Sequence, residues 1–412
     1  MRVLWLSHFV PYPPRGGNLQ RSYNLLRQAA KSFDVSLFAL NTQGASREQV
    51  DEYRNALASF CPEVEIWDPP YPWKGRRWQA ELIRSAASRV PFTFRPLFSE
   101  DLCGRWSEKL AAHPETLVHI DAIDLALFAG AAEGFRKVLN HHNCESALLQ
   151  RRAARETNPV KKKYLELEAN KIARWERELS GKFQVNTVVS EEDGRLLQAI
   201  NPNAHIHVVE NGVDTDYFRP MDVLEQPHSL IFTGSLDWQP NVSAIQHFVR
   251  DVWPLVKRGC SDARLMVAGK SPSESVLRLA ERDSSIAIFP SPEDMRPLLA
   301  RASVYICPIL EGGGTRLKIL DAMAMGKPIV STSIGCEGLR VTPGQDILVG
   351  NSAQAMADLV LQLFANDALR GQLRSSARDL VEREYAWPRL GQQLESAYRC
   401  ATGANGCTGV WS

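Results

Sequence analysis

Residues Arg2 to Phe9 (RVLWLSHF) form a short, almost continuous apolar run, the pattern of a strand buried on both faces. A loop rich in proline and glycine, VPYPPRGGN, follows it. Leu25, Leu26 and Ala29 then recur at helical spacing, and Asp34 to Leu40 (DVSLFAL) is a second apolar strand. Strand, glycine loop, helix, strand is the opening of a parallel α/β sheet. Val64 to Trp67, Thr116 to Ile120, Lys137 to His141, Val185 to Ser190 and His205 to Glu210 continue the series. The pattern restarts at Ser229 to Ser235, with a helix through Ile245, Phe248 and Val252. Further strands are expected at Arg264 to Gly269, Ile286 to Pro290, Val304 to Pro308 and Pro328 to Thr332. The polar stretch 211–229, with Pro220 and Pro227, separates the two series. The expectation is α/β with two doubly wound, Rossmann-like parallel sheets facing across a cleft. The first domain covers 1–208 and is completed by a C-terminal helix at about 388–403; a linker spans 209–228; the second domain covers 229–387.

Bulk properties narrow the function. The 412 residues, 44% hydrophobic, suffice for two or three domains. Lys and Arg (48) nearly balance Asp and Glu (47), which argues against a general nucleic-acid binder. The eight cysteines are scattered, without a CxxC pair or a Cys/His cluster in sequence. Neither a zinc site nor a disulfide framework is expected, and a cytoplasmic location fits. MRVLWLSHFVPYPP reads as a buried first strand, not a signal peptide, and no apolar run reaches the length of a membrane span.

The richest chemistry lies in EGGGTRLKILDAMAMGKPIVST (Glu311 to Thr332). Gly312, Gly313 and Gly314 remove side chains between a strand and a helix predicted over Arg316 to Met325, with Thr315 as its cap. Glycines let backbone N–H groups approach a ligand, and a helix start favours an anion. Arg316 and Lys318 add full positive charges. Asp321 lies about 7.5 Å along the axis from Arg316, at roughly 1.5 Å per residue. Diphosphate and ribose hydroxyls of a nucleotide have comparable spacing. Neither GxxxxGK[ST] nor GxGxxG is present.

This stretch resembles the donor-site signature of GT-B-fold glycosyltransferases of the group 1 or family 4 type. PRGGN (Pro14 to Asn18) resembles their N-terminal glycine loop, VVENGVDTDYFRP their interdomain segment, LMVAGKSP a C-domain strand end, and EREYAWPRLGQQLESAY their closing helix. GGGTRLK together with D-W-x-P-N (Asp237, Trp238, Pro240, Asn241) resembles one subgroup. The resemblance implies retaining transfer from a nucleotide-diphosphate sugar, with no cofactor and no essential metal, to a sugar, lipid-linked or small-molecule acceptor. It places Gly16, Gly17, Gly234 and Ser235 near the donor, with Gly312 to Gly314, Thr315, Arg316, Lys318 and Asp321. The chain departs from the family at the first of two usual carboxylates, which is Gly313; Glu311, two residues earlier, is the candidate replacement. The usual cations beside the phosphates are also absent, at Ser235 and Pro240, so Arg316 and Lys318 are inferred to neutralise the diphosphate.

On the acceptor side, His119 and Asp121 alternate along a strand, and the resemblance makes them candidates to touch the transferring sugar. His141, His142 and Asn143 end another strand; they lack a third ligand at metal spacing, so no metal is expected there. Asp214 and Asp216 form a DxD within a turn-like segment. Between Arg151 and Arg177 nine Lys/Arg face four Glu, and Pro69 to Gln79 interleaves Tyr71, Trp73 and Trp78 with Lys74, Arg76 and Arg77. Both patterns suit an anionic membrane surface, and so peripheral attachment to the inner face. Two other functions share the scaffold: a nucleotide-sugar epimerase, and a non-catalytic nucleotide-sugar binder.

Overall fold

The computed structural model describes residues 1–14, 16–69, 75–311, 315–403 and 410–411. Two compact units emerge, Met1–Glu210 with Leu390–Ser412, and Asn211–Arg389.

Seven parallel strands build the first unit: β1 (Arg2–Ser7), β2 (Asp34–Leu40), β3 (Glu63–Trp67), β4 (Thr116–Asp121), β5 (Arg136–Asn140), β6 (Val185–Val188) and β7 (Ile206–Val208). Their order across the sheet is β7-β6-β5-β4-β1-β2-β3. The second sheet contains β8 (Gln226–Thr233), β9 (Arg264–Gly269), β10 (Ile286–Pro290), β11 (Ala302–Cys307), β12 (Ile329–Ser331) and β13 (Leu348–Val349), in the order β10-β9-β8-β11-β12-β13. A last strand, β14 (Val410–Trp411), pairs antiparallel with β7. Both sheets are doubly wound, and the chain reverses direction of travel between β1 and β4 and between β8 and β11. Crevices open at such reversals, beyond the carboxyl ends of the strands.

Helices cover both faces because the strands are apolar on both. Val3, Leu4, Trp5 and Leu6 of β1 are all fully buried, as are Leu230, Ile231 and Phe232 of β8. Each such side chain contributes about 1.5–3 kcal/mol of burial. Local signals set the helix starts. Ser46 forms a capping box with Gln49, and Asn158 accepts from the amides of Val160 and Lys161 ahead of the helix Pro159–Ser180.

In the first unit the closing helix Trp387–Thr402 lies against the helix Gly17–Ser32. A Cβ on Gly391 would come within 2.7 Å of Gln28. The Tyr398 hydroxyl meets His119 Nδ1 at 3.0 Å, inside the core.

Several boundaries differ from expectation. β1 stops at Ser7 and β6 at Val188, so His8, Phe9, Val189 and Ser190 leave the sheet. β8 begins at Gln226, earlier than Ser229, with an irregular entry: its register against β11 shifts between Ala302 and Val304. The two-residue strands β13 and β14 are too short to leave a periodic signature. The charge run at 151–177 is not all surface, since Lys171 is buried against Glu168 and Glu176 is fully buried.

Candidate functional site

In the second unit, Thr233 ends β8 and Gly234 follows with φ +154°. A Cβ on Gly234 would lie 2.7 Å from both Asn241 Nδ2 and Lys318 Nζ. A Cβ on Gly269, at the end of β9, would lie 1.7 Å from the Gly234 carbonyl oxygen. Gly269 is therefore restricted to glycine by the backbone it meets, and Gly234 by its positive φ. Lys318 Nζ donates to Asn241 Oδ1 at 2.7 Å, and Asn241 Nδ2 donates to the Ser235 carbonyl at 2.8 Å. The ammonium also sits 4.5 Å from the Phe232 ring centroid. Burial pushes Lys318 down to about 8, and the nearby Arg316 charge acts in the same direction.

The helix after the glycine turn runs Leu317–Ala324. Six of its residues, Leu317, Ile319, Leu320, Ala322, Met323 and Ala324, are buried. Lys318 and Asp321 are the two that keep partial exposure, and at i, i+3 they share one face. That face adjoins the carboxyl end of β8. The expected Thr315 cap is not observed. Arg316 occupies the cap position without a side-chain cap bond, while Thr315 Oγ1 accepts from Asn211 Nδ2 at 2.5 Å. Asn211, far away in sequence, outcompetes the local amides for the threonine. Glu311 is half-buried beyond the end of β11. Gly312, Gly313 and Gly314 lie outside the described residues.

Asp214 and Asp216 form a turn: Asp214 Oδ1 accepts from the amides of Asp216 and Tyr217.

The first unit gathers polar groups where β1, β4 and β5 end. Asp121 is fully buried; Ser22 Oγ donates to its Oδ2 and Asn140 Nδ2 to its Oδ1, both at 2.6 Å. His142 Nε2 lies 3.2 Å from Oδ1. Burial alone would raise this carboxyl, but His142 and His119 beside it hold it well below the usual range. Asn140 in turn accepts from Arg21 and Thr187, and Arg21 also donates to the Glu210 carbonyl. Asp121 is thus the hub of a buried network.

His119, expected to touch the sugar, is sealed in the core. Its ring stacks on Trp5 at 3.7 Å and its Nδ1 faces Tyr398, and burial lowers its pKa. His141 also turns inward, to Asn186 Oδ1 at 3.2 Å, and burial lowers it to about 4. His142 and Asn143 instead face the strand ends, with Asn143 Nδ2 donating to Glu145 Oε1 at 3.1 Å. Gly16 and Gly17 are exposed at the start of the helix Gly17–Ser32, and Gly16 adopts φ +106°.

Sequence reasoning missed His8, Asp124 and Glu145, which join His142 there. His8 Nδ1 pairs with Asp124 Oδ2. Burial works to lower His8, but the Asp124, Asp121 and Glu145 carboxylates together outweigh it, so the imidazole is raised. Burial raises Glu145 as well, and Asp124 adds to the effect. The available signal was positional: His8 follows the strand that borders the reversal.

Comparison with known proteins identifies the family and the fold. A model described as glycosyl transferases group 1 matches residues 227–366, and one described as glycosyltransferase family 4 matches 15–217. An uncharacterized 44.6 kDa protein in the cps region of Klebsiella pneumoniae is 25% identical over 93% of this chain and 96% of its own length. A GDP-mannose-dependent monoacylated alpha-(1-6)-phosphatidylinositol monomannoside mannosyltransferase of Corynebacterium glutamicum is 24% identical over 53% of this chain; the match spans 62% of that protein. Sucrose-phosphate synthase from Thermosynechococcus elongatus superposes with a TM-score of 0.70 at 14% identity, covering 98% of this chain and 100% of that one. The last likeness establishes the shared GT-B fold.

Proposed function

The chain belongs to the group 1, family 4 glycosyltransferases, and from that premise we propose that it moves a sugar, with retention, from a nucleoside-diphosphate sugar to a lipid-linked or glycan acceptor. The observation that carries the donor half is the partly exposed face of helix Leu317–Ala324. It sets Lys318 and Asp321 beside the glycine-lined end of β8. In this reading Lys318 and Arg316 neutralise the diphosphate and ribose hydroxyls donate to Asp321. The leaving diphosphate takes the acceptor proton, so stabilising its developing charge is the main catalytic term. The two fixed cations supply the charge that a metal would otherwise bring, which supports a metal-independent transfer. The His8, Asp124, His142 and Glu145 group is the polar surface of the first unit suited to acceptor hydroxyls.

A calorimetric series with uridine, UDP and GDP tests the donor assignment. Asp321→Ala is expected to weaken all three through the ribose; unchanged affinities would remove Asp321 from the site. A thermal-shift screen across nucleotide sugars identifies the donor, and the anomeric configuration of the product reports retention or inversion.

A lipid-linked acceptor also accounts for one surface of the first unit. No helix among the described residues is long and apolar enough to cross a membrane. Ile83 and Val160 are nonetheless 75% and 79% exposed, on helices that meet through Ser85 and Tyr164. Trp78, Lys161 and Lys163 are exposed on the same two helices, and Arg151 and Arg152 on the preceding helix Glu145–Arg155. Apolar side chains rimmed by cations suit an anionic bilayer. Tyr71, Trp73 and Lys74, counted toward this surface from sequence, lie outside the described residues. The expected result is co-sedimentation with phosphatidylglycerol vesicles at low salt, weakened by salt and by Ile83→Asp with Val160→Asp. Equal recovery with neutral and anionic vesicles would refute it.

A further inference from the structure

Among the described residues one group of potential metal ligands converges. His228 Nδ1, Cys260 Sγ and a carboxylate oxygen of Asp262 all lie within 4.8 Å of one another. His228 stands in the irregular entry of β8; Cys260 and Asp262 flank Ser261 between the helix Trp253–Gly259 and β9. Nδ1 is 2.9 Å from Asp262 Oδ2, and Sγ is 3.0 Å from Oδ1.

The backbone is bent to make this meeting. His228 has φ +50°, a left-handed conformation that a residue with a side chain adopts only under constraint. Its ring is held 5.2 Å from Phe364, and Lys257 ties down the loop through the Ser261 and Ala263 carbonyls. The result is three different donors, pre-positioned by two separate segments.

We propose that His228, Cys260 and Asp262 form a site for a borderline divalent cation, zinc above all, with solvent completing the coordination. Imidazole nitrogen, thiolate sulfur and carboxylate oxygen are zinc's donors, whereas calcium and magnesium demand oxygen alone. Binding exchanges the Cys260 S–H bond for an S–metal bond and releases the proton to solvent. Because binding releases that proton, affinity rises with pH. Six residue-to-residue steps of extended chain, about 20 Å at 3.3 Å each, lead from His228 to Gly234. The metal therefore clips the amino end of β8 to the 260–262 loop and takes no part in sugar transfer. The site is independent of the donor and acceptor assignments.

Cobalt(II), titrated into the reduced full-length chain, is the probe. The expected result is a saturable thiolate-to-cobalt charge-transfer band in the near ultraviolet, displaced by zinc, abolished in Cys260→Ser and weakened in His228→Ala and Asp262→Asn. Zinc should raise the melting temperature of the parent chain and not that of Cys260→Ser. Circular dichroism of each variant confirms folding. No band, or a band that survives Cys260→Ser, overturns the proposal.

Discussion

Replacing Arg316 and Lys318 together with alanine is expected to weaken nucleoside-diphosphate binding by on the order of 3–6 kcal/mol, about 1.5–3 for each charged contact. Nucleoside affinity should stay near its original value, because the ribose contact assigned to Asp321 is untouched. The magnitude follows from where Lys318 sits. Its ammonium is held by Asn241 against Phe232, beside a glycine, so little water screens it. The same burial gives the site a pH signature. Free Lys318 loses its proton near pH 8, and a bound diphosphate raises that value, so binding takes up a proton. Affinity for UDP or GDP should accordingly hold through neutral pH and fall as pH rises past about 8. In Lys318→Ala that alkaline fall should be absent. Calorimetry in which nucleoside and nucleotide lose equally would mean the two cations do not meet phosphate.

Asp121→Ala is expected to cost about 3–5 kcal/mol of folding stability, the usual loss when one partner is removed from a buried charged network. Ser22 and Asn140 would lose their acceptor, His142 its neighbour, and the buried Arg21 guanidinium the Asp121 charge that offsets its burial. The folded carboxyl lies below its unfolded value of about 3.9. Its contribution is thus complete above roughly pH 4 and is lost as pH falls beneath that value. Urea denaturation across this range should show a steeper acid loss for the parent chain than for Asp121→Asn. A cost under about 1 kcal/mol for Asp121→Ala would mean the network is not supporting the fold.

The parallel sheets were legible because every central strand is a short apolar run and the runs alternate with helical spacing. The helix that carries Lys318 and Asp321 was legible because Leu317, Leu320 and Ala324 recur at helical spacing, and all three are buried. What escaped depends on segments distant in sequence. Thr315 looks like a cap until Asn211 is brought to it. His119 and Asp121 do share a strand face, 4.0 Å apart, but Trp5 and Tyr398 enclose the first while Ser22 and Asn140 claim the second. Lys171 counts as surface charge until Glu168 draws it inward. The Gly234–Gly269 approach has no sequence signature beyond two glycines at strand ends. The ligand triad at the entry of β8 escaped for the same reason, since 31 intervening residues separate His228 from Cys260.

The contact of Tyr398 with His119, and of Gly391 with Gln28, bears on how the chain is made. During synthesis the first two hundred residues emerge without the helix that covers their sheet. The second unit, 211–389, is finished earlier than the first can be. A chain truncated after Arg389 should therefore hold a protease-resistant second unit and a cleavable first one, the reverse of ordinary co-translational order.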